Sequence, residues 1–123
     1  MRMRGADFDR GSLWHYRATA VRVIDGDTFV AFVDTGFYGR HEARIRIAGL
    51  DTPERGEAGA DEATQRLRGV VGGPPPHRDW PLRIVTLQRE TSVTEVRSFE
   101  RYVADVYVVG PDGELRDVKE MLR

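Results

Sequence analysis

Two short acidic segments carry the chemical interest of this chain: DGDT at 25–28 and DTPE at 51–54. Each alone is ordinary. Asp-Gly is a strong hairpin turn, and Asp, Thr and Pro are common where a strand gives way to a turn. Together they gain meaning, because adjacent strands can bring the end of one near the start of another. Asp27 and Asp51 would then point at one spot. Two unpaired carboxylates that close repel each other, and a hard divalent cation removes the conflict. Calcium takes oxygen ligands from carboxylates, backbone carbonyls and water. Asp27, Asp51 and a backbone carbonyl near Thr52 would make a sparse site with room for waters. The chain has no cysteine and no paired histidines at ligand spacing, which argues against zinc. His15, His41 and His77 read as surface or hydrogen-bonding residues.

Three further residues extend the set. Arg46 lies five residues before Asp51. A guanidinium there suits a phosphate, because its fork donates two parallel hydrogen bonds; its plainer reading is a strand arginine covering apolar surface. Arg101 follows RSFE and is either another surface residue or a second clamp on the same phosphate. Glu54 is placed to orient or deprotonate a water. Two arginines, a cation and a carboxylate are the parts needed for phosphodiester hydrolysis.

The elements that must position these residues follow from the pattern. Residues 1–12 are polar and read as a flexible arm, and 13–123 as one domain. LWHYRATAVRVI (13–24) is rich in β-branched and aromatic residues and predicts a first strand. TFVAFVD (28–34) predicts a second, GFYGRH a Gly-rich connection, and EARIRIAGL (42–50) a third. In that third strand Ile45 and Ile47 share one face and Arg44 and Arg46 the other. The period then changes. In residues 59–73, Ala63, Leu67 and Val70 mark an amphipathic helix, with Asp61 and Glu62 suiting its dipole and Gly72 able to close it. GGPPPHRDW is a stiff loop. Residues 82–88 and 101–110 predict a fourth and fifth strand, PDG (111–113) a turn, and ELRDVKEMLR a second helix with Leu115, Val118 and Leu122 on one stripe. Trp14 and Trp80 read as core or rim packing. Five strands with a helix between the third and fourth predict a mainly β, α+β fold: a five-stranded Greek-key barrel of the OB type with a short C-terminal helix.

Composition narrows the options. The chain has 123 residues, 40% apolar and 32% charged, with a net charge of −1. Proteins that hold nucleic acid by bulk electrostatics are usually basic. A polyanion would therefore have to be met by a local patch or a bound cation. No apolar run approaches a membrane span. MRMRGADFDRGS has basic residues with no apolar core after them, so no secretory signal and a cytoplasmic chain are expected.

From about residue 17 to 123 the chain resembles the staphylococcal nuclease (thermonuclease) family, OB-fold calcium-dependent phosphodiesterases acting on DNA and RNA. The carriers are VIDGDT (23–28), RIAGLDTPE (46–54), a helix opening with GADEAT (59–64), and FERYVADVYV (99–108) followed by PDGEL (111–115). The resemblance implies that Asp27, Asp51 and the Thr52 carbonyl bind calcium, and that Glu54 activates or orients the attacking water. It implies that Arg46 and Arg101 clamp the scissile phosphate, with Phe99 at a substrate-binding position where a tyrosine is usual. It also implies products with 3′-phosphate ends.

Two departures bear on rate. Glu100 stands where the family commonly has glycine, and either pairs with Arg101 or points into solvent. Asp105, four residues after Arg101, could compete for the same guanidinium. The chain also stops at Arg123, before the family's usual last loop and helix. This implies weaker substrate binding, or a partner chain that supplies the missing cover. The function expected from the residues is thus a nuclease. The alternatives are a non-catalytic OB-fold module binding single-stranded nucleic acid or protein, and a structural subunit that keeps the site as a relic. Binding OB-folds usually show a basic groove with exposed aromatics, and the sequence shows only scattered arginines.

Overall fold

The first three strands form a continuous antiparallel meander: β1 (His15–Asp25), β2 (Thr28–Gly36) and β3 (Gly39–Ile47). The computed structural model describes residues 15–72, 80–86, 97–98 and 101–123, with backbone only at 97, 98 and 101. The expected arm (1–12), Trp14, Phe99 and Glu100 lie outside the described residues. After the meander come helix α1 (Ala60–Val71), β4 (Leu82–Thr86), a two-residue β5 (Arg97–Ser98), β6 (Arg101–Val109), β7 (Leu115–Asp117) and helix α2 (Val118–Leu122). β1 pairs β4, β4 pairs β6, and β6 pairs β3 in parallel, so five strands close into a barrel. The fold is α+β with an OB-like barrel and two short helices, as the sequence pattern predicts. Among the described residues no helix is long and apolar enough to cross a membrane.

Alternation along the strands fills the barrel. Phe29 on β2, Ile45 and Ile47 on β3, Leu82 and Ile84 on β4, and Val106 on β6 are fully buried. Ala18, Ala20, Ala31, Ala43 and Ala104 pack between them. α1 adds Leu67 and Val71 to this core and packs on β1. Its buried stripe is Ala60, Leu67 and Val71, while Ala63 and Val70 of the expected stripe are half-buried. Gly72 closes the helix, its N–H donating to the Arg68 carbonyl at 3.0 Å.

The larger differences from the sequence pattern are three. The third strand ends at Ile47, not at residue 50. Ala48 N–H donates to the Ala104 carbonyl at 2.8 Å and Leu50 N–H turns back to Ile47 at 3.4 Å, with Gly49 at φ 73° between them. The second helix begins at Val118. Leu115–Asp117 instead pairs with β6, and the Asp117 carboxylate accepts from Lys119 N–H at 2.9 Å, capping the helix there. Leu115 therefore leaves the helical stripe, while Val118 and Leu122 stay buried. The connection over GFYGRH is a two-residue hairpin: Gly36 faces Gly39, Phe37 and Tyr38 form its tip, and Arg40 and His41 belong to β3. The barrel's five strands are also supplemented by β5 and β7, both too short to show a period.

Candidate active site

Asp27 sits in the β1–β2 turn, and backbone bonds lock that turn to the end of β3. Ile47 N–H donates to the Asp27 carbonyl at 2.8 Å, and Thr28 pairs with Arg46 across the ladder. The turn also depends on close approach at Gly26. A β-carbon there would meet the Ala63 β-carbon at 2.6 Å and Thr52 Oγ1 at 2.7 Å. Gly26 thus lets the turn, the 51–54 loop and α1 come together. Gly26→Ala is expected to destabilise the fold by roughly 1–3 kcal/mol, the usual cost of overpacking a rigid neighbour. A thermal melt at wild-type Tm would contradict it.

The Asp27 carboxylate is almost fully buried. Its Oδ1 accepts from the Thr28 hydroxyl at 2.9 Å, and Asp25 Oδ1 accepts from Asp27 N–H at 3.1 Å. Arg46 Nη2 stands 3.9 Å from Asp27 Oδ2, a loose pair that leaves the guanidinium partly exposed. Burial pushes the Asp27 carboxyl up to about 6; Asp25 adds to the rise by hydrogen bond and charge, while Thr28 and Arg46 oppose it.

The loop after β3 supplies the opposite wall. Asp51 and Glu54 are exposed and Thr52 is half-buried. The loop is held by its own turns: Glu54 N–H donates to Glu57 Oε1 at 2.7 Å, and Glu57 N–H to the Glu54 carbonyl at 2.9 Å. Together Asp27, Arg46, Asp51, Thr52 and Glu54 line one open, largely polar pocket of about 520 Å³. Asp25 and Arg55 line it too, and sequence reasoning named neither as a site residue. Asp25 was legible only as a turn-former, since the register shift between Val23 and Asp25 that sets its place has no signature in composition. Arg55 carried no signal beyond its position after Glu54.

Arg101 begins β6 and pairs in parallel register with Arg44, on the strand that carries Arg46. Its side chain, like Phe99 and Glu100, lies outside the described residues.

The donors of this pocket are all oxygens, which suits a hard cation and not zinc. The carboxylate that crowds buried Asp27 is Asp25, where the sequence pattern expects Asp51; a bound cation would offset that repulsion. Among the described residues, however, no three His, Asp or Glu side chains are grouped so as to hold a metal by themselves. A cation here would rely on backbone oxygen and water as much as on carboxylates.

No family model matches the chain. It is 32% identical over 94 residues to a micrococcal nuclease of Shigella flexneri, covering 76% of this chain and 42% of that protein. It is 38% identical over 55 residues to Protein ParB of Escherichia coli, covering 45% of this chain and 28% of that protein. The chain thus spans less than half the length of the curated relatives it matches. The similarity supports a distant, micrococcal-nuclease-like relationship.

Proposed function

We propose that the chain is a calcium-dependent phosphodiesterase that hydrolyses DNA or RNA and leaves 3′-phosphate ends. The observation that carries this reading is the meeting of Asp27, Arg46, Asp51, Thr52 and Glu54 in one polar pocket. The similarity to a micrococcal nuclease supports it.

In this reading Asp27, Asp51 and the Thr52 carbonyl hold calcium, which when bound acts as a Lewis acid and lowers the pKa of water. Glu54, exposed at the rim, orients the attacking water and takes its proton. The new bond forms between the water oxygen and phosphorus, and the bond to the 5′ oxygen breaks, that oxygen leaving as a hydroxyl with a proton from solvent. Arg46 donates to the phosphate oxygens and stabilises the charge that builds on them. Arg101, entering beside Arg44, is the second clamp. Phosphate contacts carry no base information, so cleavage is expected on many sequences.

The test is a gel assay on single-stranded DNA with calcium and with excess chelator. Cutting should stop with chelator and return on adding calcium. Retardation without cutting would favour the non-catalytic binding module. Neither cutting nor retardation would favour a structural subunit.

A further inference from the structure

Three non-glycine residues among those described have left-handed backbone: Phe37 at φ 53°, Tyr38 at 61° and Trp80 at 54°. All three are aromatic, and all three line one open cleft of about 450 Å³ that shares no residue with the Asp27 pocket. Phe37 and Tyr38 are fully exposed at the tip of the β2–β3 hairpin. A two-residue tip with both φ positive is the place for Asn-Gly, which adopts it without strain. Two bulky rings there cost stability and bury nothing. Such strain, once observed, points to a functional demand.

The charges around these rings favour one class of partner. The guanidinium carbons of Arg17 and Arg40 each lie 5.9 Å from the Trp80 ring centre. Arg83 Nη1 donates to the Trp80 carbonyl at 2.6 Å, which holds that backbone in place. Among the described residues Asp34 is the one acidic side chain lining the cleft, and Arg17 Nε donates to its Oδ2 at 3.1 Å. Arg40 faces Asp34 across the hairpin; the Gly36 N–H and Arg17 hold the Asp34 carboxyl below its usual range, and the charge of Arg40 adds to this. Exposed rings interleaved with arginine are what a single strand of nucleic acid uses, bases stacking on the rings and phosphates meeting the cations.

We propose that Phe37, Tyr38 and Trp80, flanked by Arg17 and Arg40, form a stacking platform for single-stranded nucleic acid, a second contact separate from the Asp27 pocket. The proposal rests on the reading that this chain engages nucleic acid. β2 runs from Thr28, beside that pocket, to Gly36 at the platform. At roughly 3.3 Å per residue the two are about 26 Å apart. A stacked strand needs about eight nucleotides to bridge that gap, at roughly 3.4 Å each. Four nucleotides reach one site only, whereas sixteen reach both. The platform therefore raises the affinity for long strands and leaves short ones unaffected.

The experiment compares wild type with the double variant Phe37→Asn/Tyr38→Gly, which removes both rings and relieves the turn. Binding of fluorescein-labelled dT16 is followed by anisotropy in excess chelator, and cleavage of dT4 and dT16 in calcium. The expected result is a Tm at or above wild type and a loss in dT16 affinity of about tenfold or more. The dT4 rate should be unchanged. Arg40→Ala should make dT16 binding less steeply salt-dependent, by about one phosphate contact. Unchanged dT16 affinity in the double variant overturns the proposal, as does a wild type that does not bind dT16. So does a wild-type dimer that the variant dissociates, which would make the rings a contact between copies. Failure of the nuclease reading looks different: no cutting of either oligonucleotide, with dT16 still bound through the rings.

Discussion

Glu54→Gln lowers turnover on single-stranded DNA by about 10²–10⁴-fold, the usual worth of a positioned general base, while leaving the melting curve in place. The two readouts separate because of how the residue is held. The described hydrogen bonds of Glu54 run through its backbone: its N–H to the Glu57 carboxylate and its carbonyl from Glu57 N–H. The side chain itself is exposed. Replacing a carboxylate by an amide of the same shape breaks neither bond, so the loop keeps its form and the proton acceptor is lost. Steady-state rates at saturating DNA check the first half, and thermal unfolding the second. Turnover at the wild-type level would remove Glu54 from the chemistry and leave Asp51 or Asp25 as the carboxylate to test.

Asp27→Asn is expected to abolish calcium-dependent cutting and yet stabilise the fold near pH 7. The sign follows from the direction of the shift. The folded carboxyl lies near 6, above its ordinary 3.8, chiefly because it is buried and secondarily because Asp25 stands beside it. The folded state therefore binds the proton more tightly than the unfolded chain. Stability falls as the pH rises from about 4 to about 6, and the penalty is complete above that. At full weight such a shift is worth about 3 kcal/mol. Because the carboxyl borders an open pocket, solvent screening lowers this to roughly 1–2 kcal/mol. The asparagine variant never ionises, so its advantage should appear at pH 7 and vanish near pH 4. Urea titrations at the two pH values check this. Adding calcium should stabilise wild type and not the variant, because an ion that binds only the folded state raises its stability. Equal stability of the two proteins at pH 7 would mean that Asp27 carries no burial penalty.

Much of this was legible in the sequence, for identifiable reasons. Alternation in RIRI placed Ile45 and Ile47 inside and left Arg46 to the pocket side, because a period of two admits no other arrangement once one face is core. The DGDT and DTPE segments were visible as turns because Asp, Gly and Pro have strong local preferences. That they meet depends on β1, β2 and β3 being sequential neighbours. What was not legible depends on non-local geometry. The third strand stops at Ile47 because Ala48 N–H goes to Ala104 on β6, a partner that no local pattern reveals. Leu115 fits a helical stripe, yet pairs with β6 because Asp117 caps the helix behind it. The 37–38 tip passed as a Gly-rich connection because its two central residues are those least suited to the turn they make. The necessity of Gly26 was likewise hidden, since it comes from the β-carbon of Ala63 on a helix formed later in the chain.

The parallel pairing of β3 with β6 also divides the candidate site by chain entropy. Asp25, Asp27, Arg46, Asp51, Thr52 and Glu54 all belong to the meander and the loop that follows it, where closing each turn is inexpensive. The strand beginning at Arg101 pairs with residues 44–47 across a long stretch of chain that includes a helix and a fourth strand. Loop closure of that span must precede any contact that rewards it. The acidic half of the site and Arg46 thus belong to a local folding unit, whereas the second arginine arrives with the step that turns a sheet into a barrel.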